Sequence, residues 1–118
     1  MVICNYRNPE IPATMETDAI VINELNIGKC RGCLRCRIVK SCITYNDDAP
    51  LQLPAITSAE RLDIYLQKDS DVALLLNRIL YGLAKQGQGR PYALHVEDSR
   101  EVDYVKRMLD WCGYKLVE

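Results

Sequence analysis

Short apolar segments alternate along the chain with polar stretches, and their periods differ. Val2-Ile3-Cys4 reads as a first strand, and the β-branched run AIVI at Ala19–Ile22 reads as a second, buried on both faces. Between them, NPEIPATMETD carries two prolines and reads as a loop. LQLPAI, with Pro50 and Pro54, reads as irregular. SAERLDIYLQ carries two conflicting signals. Leu62, Ile64 and Leu66 alternate as in a strand, while Thr57 and Glu60 have the spacing of a capping box that would start a helix.

The second half is clearer. In SDVALLLNRILYGLAKQG, Val72, Leu75, Leu76, Ile79, Leu80 and Leu83 fall at helical spacing, with Ser70 as an N-cap and Gly87 as a stop. PYALHV reads as a strand. Asp98, followed three residues later by Glu101, starts another helix, with Val102, Val105, Leu109 and Cys112 on one face and Gly113 at its end. YKLV closes as a strand. Helix, strand, helix, strand in succession predicts an α/β fold with a mostly parallel sheet.

Length and composition narrow the class. At 118 residues the chain is one domain. Hydrophobic residues make up 48% and charged residues 26%, which excludes an intrinsically disordered chain. A net charge of −1 gives no field to draw it onto nucleic acid. No apolar run has the length of a membrane span, and MVICNYRNPE lacks the charged start and apolar stretch of a signal peptide. The expected compartment is the cytoplasm, where clustered thiols bind metal or do redox work more often than they form structural disulfides.

The chemistry concentrates in CRGCLRCRIVKSC. Cys30, Cys33, Cys36 and Cys42 are spaced C-x2-C-x2-C-x5-C, with Lys29, Arg31, Arg35, Arg37 and Lys40 among and beside them. Two intervening residues let neighbouring sulfurs turn toward one centre. Four thiolates suit an iron–sulfur cluster or a tetrahedral zinc ion. Three cysteines on one continuous loop lean toward the cluster, since structural zinc usually takes two separated knuckles. The cations lower the cost of deprotonating the thiols. The plainer alternative is that the four are reduced structural thiols, or pair as disulfides in air. Cys4, in an apolar strand, and Cys112, on an apolar helix face, read as small core residues.

VINELNIGKCRGCLRCRIVKSCITYNDDAP resembles the segment after the second strand in flavodoxin-like NADPH-dependent FMN reductases, most of all in their iron–sulfur flavoprotein branch. The shared features are Glu24-Leu25 at the strand end, Cys30-Arg31-Gly32-Cys33-Leu34-Arg35-Cys36, Cys42, and Asp47-Asp48. The resemblance continues more weakly through AERLDIYLQ as a third strand, LLNRILYGL as the next helix with Asn77-Arg78 in place of Asp-Arg, GRPYALHV as a fourth strand and CGYKLVE as the last. It implies a flavodoxin-like three-layer sandwich, trimmed because the chain is short. It also implies an oxidoreductase of the FMN reductase type, with a 4Fe–4S cluster on the four cysteines exchanging electrons with FMN; zinc is the alternative metal. Two departures stand out. Where the family binds the FMN phosphate in a Ser/Thr-rich loop, this chain has CNYRNPEIPATMETD, with Arg7, Asn8 and Thr14 as phosphate partners. Where the family has Pro-x-Tyr after the third strand, this chain has QKDSD. A flavin site reduced in this way also suits a non-catalytic binding module that has lost FMN.

The remaining marks read structurally. Asp47-Asp48, between Asn46 and Ala-Pro, suit turn chemistry better than acid–base work. His95 stands alone in its strand, Tyr104 and Trp111 read as core or interface aromatics, and GQGR reads as a helix stop and flexible link. A trimmed sheet with an uncovered apolar face leads to a homodimer or larger assembly. The redox partner has no signature, and neither nucleic acid nor membrane is an expected partner.

Overall fold

In the computed structural model, residues 1–7, 11, 19–28, 47–69, 72–80 and 86–117 are described. Five strands form one sheet: β1 (Val2–Cys4), β2 (Ile20–Val21), β3 (Leu62–Leu66), β4 (Pro91–Val96) and β5 (Lys115–Leu116). Their order is β2-β1-β3-β4-β5 and every pairing is parallel. That is the order of doubly wound flavodoxin-like sheets, so the α/β expectation holds. Three helices are described: α1 (Leu53–Ser58), α2 (Val72–Leu80) and α3 (Ser99–Trp111).

Alternation along each strand assigns the two faces. Ile3, Ile20, Leu62, Ile64, Leu66 and Tyr92 join Ile56, Leu76, Ile79, Val105 and Leu109 in the main core. Val2, Cys4, Val21 and Tyr65 point the other way and form a second cluster with Ile11. All five are nearly or wholly buried within the single chain, so the sheet face expected to stand open is covered at these positions.

The conflict in SAERLDIYLQ resolves as a strand, because Leu62, Ile64 and Leu66 all enter the main core. The helix lies earlier than the Thr57/Glu60 spacing suggested. LQLPAI, expected to be irregular, is instead a 3-10 turn at Pro50–Gln52 running into α1. Both prolines sit in first turns, where a missing N–H leaves no intrahelical bond unmade. Thr57 and Ser58 end α1 rather than start it, their hydroxyls donating back to the carbonyls of Leu53 and Pro54.

β4 and α3 lie where the pattern put them. The Asp98 carboxylate accepts from the backbone N–H of Arg100 and caps α3. At the other end Gly113 takes φ of 93°, and the Tyr114 N–H donates to the Leu109 carbonyl, closing a Schellman turn. The GQGR stretch is not a loose link. Gly87 N–H donates to the Cys112 carbonyl at 2.8 Å, and Gly89 N–H to the Gly113 carbonyl at 2.7 Å. A Cβ on Gly87 would lie 2.7 Å from backbone atoms of Gly113 and Tyr114, so only glycine lets these chains approach so closely. The Arg90 guanidinium donates to the carbonyls of Thr57, Ala59, Gln86 and Gly87, tying this turn to the end of α1.

Candidate functional site

In a doubly wound sheet the ligand crevice opens outside the carboxyl ends of the strands where the order reverses, here between β1 and β3. Asn5 occupies that position and is fully buried. Its Nδ2 donates to the Gln67 carbonyl at 2.7 Å, and its Oδ1 accepts from the N–H groups of Gln67 (2.9 Å) and Tyr6 (3.1 Å). Its own carbonyl accepts from the Asn23 N–H beyond β2 at 3.2 Å. The Tyr6 hydroxyl donates to Asp69 at 2.6 Å. Arg7, the first of the expected phosphate partners, donates through Nε and Nη2 to the Glu24 carboxylate at 2.8 and 3.0 Å. Asn8 and Thr14 lie outside the described residues.

A second group of polar residues brackets the cysteine segment. Cys30, Cys33, Cys36 and Cys42 themselves lie outside the described residues, but both ends of the segment are in view. Arg78 on α2, whose side chain is completely buried, donates to the two Asp47 oxygens at 2.8 Å each and to the Gly28 carbonyl at 2.7 Å. Asp47 also accepts from the N–H groups of Gly28 (2.8 Å) and Ala49 (3.1 Å). Next to it, Asp48 Oδ2 accepts from the Asn26 N–H at 2.8 Å while Asp48 N–H donates to the Asn26 carbonyl at 3.0 Å. Residues 26–28 and 47–49 are thereby clasped together and held to α2. The Arg78 guanidinium, aided by the backbone donors and opposed by burial, holds the Asp47 carboxyl down at about 2. The turn reading of Asp47-Asp48 stands, and Asp47 in addition forms a buried ion pair.

A cavity of about 390 Å³ opens where Lys68, Asp69, Asp98, Arg100 and Glu101 meet, beside the carboxyl ends of β3 and β4. Burial, followed by the charges of Asp98 and Asp69, raises the Glu101 carboxyl. Hydrogen bonds with Arg100 lower that of Asp98. His95 is exposed on its strand and stacks on Tyr65, with ring centroids 4.2 Å apart and planes 9° from parallel. Cys4 and Cys112 are buried core residues, as their positions suggested, and the Cys112 thiol donates to the Leu80 carbonyl. Tyr104 is partly buried against the main core, and its hydroxyl accepts from Asn77.

These surroundings bear on the implied groups unequally. The described crevice offers a flavin phosphate a guanidinium already paired with Glu24, next to a cavity with three carboxylates and two cations. That does not fit an anion. Of the cysteine segment, only its flanks, joined through Gly28, Asp47 and Arg78, are among the described residues. Among the described residues, no group of three or more His, Cys, Asp or Glu side chains is placed to hold a metal ion. Asn5 carries no sequence motif and was not legible. Arg78 showed only as half of an Asn-Arg pair at the flank of an apolar helix stripe, a position that periodicity alone assigns to solvent. No family model matches the chain, and no curated protein or solved structure matches it significantly. Among the described residues no helix is long and apolar enough to cross a membrane.

Proposed function

We propose that this chain is an electron-transfer protein related to iron–sulfur flavoproteins, with Cys30, Cys33, Cys36 and Cys42 as the ligands of a 4Fe–4S cluster. The observation that carries the reading is the buried Arg78–Asp47–Gly28 clasp, which fixes the two ends of the segment that bears the four thiols. When bound, such a cluster supplies one-electron transfer. The chain's own contribution is to hold and charge the ligands. The cysteines supply four thiolates, and Lys29, Arg31, Arg35, Arg37 and Lys40 offset their negative charge. Arg78, neutralised by Asp47, adds geometry and not charge.

One observation favours a second reading, a binding module without flavin whose thiols hold zinc or remain structural. Arg7 is paired with Glu24 at the place where the resemblance puts the FMN phosphate. Both readings expect weak FMN binding by the isolated chain, and a submicromolar dissociation constant in a fluorescence titration overturns that expectation. Anaerobic purification separates the two. A broad brown absorbance with stoichiometric iron and sulfide supports the cluster, and a colourless protein with one zinc supports the module. Wild-type protein that retains neither after reconstitution with iron and sulfide, and separately with zinc, overturns the metal centre. Serine at any one of the four cysteines should abolish the content, while serine at Cys4 or Cys112 should leave it intact.

A further inference from the structure

We draw no further inference here: the strongest candidate, the cavity beside the carboxyl ends of β3 and β4 lined by Lys68, Asp69, Asp98, Arg100 and Glu101, is a cluster of charged side chains at the N-terminus of α3, and nothing else among the described residues points to a ligand there.

Discussion

The region from β3 to β5 and the crossover from β2 to α1 are built by different forces. In the first, apolar side chains at strand and helix periods meet across one core: Ile64 and Leu66 from β3, Leu76, Ile79 and Leu80 from α2, Tyr92 from β4, Val105 and Leu109 from α3. In the second, the described contacts that join residues 26–28 to 47–49 are polar. Asp47, Asp48 and, from α2, Arg78 hold backbone groups that no strand or helix satisfies. Apolar burial is non-directional and tolerates small shifts, whereas a buried ion pair fails when either partner is lost. The crossover should therefore yield to single substitutions that leave the other region in place.

The largest effect is expected from Arg78→Met. It leaves the Asp47 carboxylate buried without its cation, a change that costs about 3–5 kcal/mol when a buried pair is broken from one side. Amide hydrogen exchange should show Gly28, Ala49 and Asn26 losing protection first, with β4 amides losing it only with global unfolding. Uniform loss across both regions would show that they are one cooperative unit and erase the contrast.

Acid gives the next effect. The folded-state carboxyl of Asp47 sits at about 2, below its ordinary value of 3.8. Its contribution is therefore complete above about pH 4–5 and is lost as pH falls through 4 toward 2, an amount of about 2 kcal/mol from the size of the shift. Asp47→Asn should be less stable at neutral pH and should flatten the stability profile across that window. A profile as steep as wild type would assign the acid sensitivity to other carboxyls.

The smallest effect falls in the apolar region. Burial and the charges of Asp98 and Asp69 disfavour the ionised form of Glu101. Such a group weakens the fold above its ordinary pKa and relaxes as pH falls through its raised value. Glu101→Gln at neutral pH should be neutral or stabilising by up to about 0.5 kcal/mol, the range of substitutions away from buried networks. Thermal unfolding reads it, and clear destabilisation would show that the carboxylate has a partner it needs.

The same division explains what the sequence revealed. β4 was legible to the residue because PYALHV is an isolated apolar run with turn residues on both sides, and α3 was legible because Asp98 and Gly113 mark both its ends. α1 was not, because proline in a first turn looks the same in sequence as proline in a loop. β2 is shorter than AIVI because Ile22 turns into a 3-10 turn while remaining buried. At the candidate site, the cysteine spacing and the Asp47-Asp48 turn could be read locally. The partnership of Asp47 with Arg78, 31 positions away, could not. Periodicity carries no record of which polar group meets which across the core.

Asn5 has a consequence for how the sheet divides. Its carboxamide presents one donor and one acceptor to Gln67, the groups that the backbone of a longer β1 would present there from two of its residues. The main chain, meanwhile, has already turned to meet Asn23. A side chain thus impersonates a peptide unit, and the polypeptide forks: one branch prolongs the ladder toward β3 while the other departs toward β2. Of the side chains close to this size, leucine could supply neither group and aspartate only the acceptor. The seam between the two halves of the sheet can open there without leaving a broken rung behind.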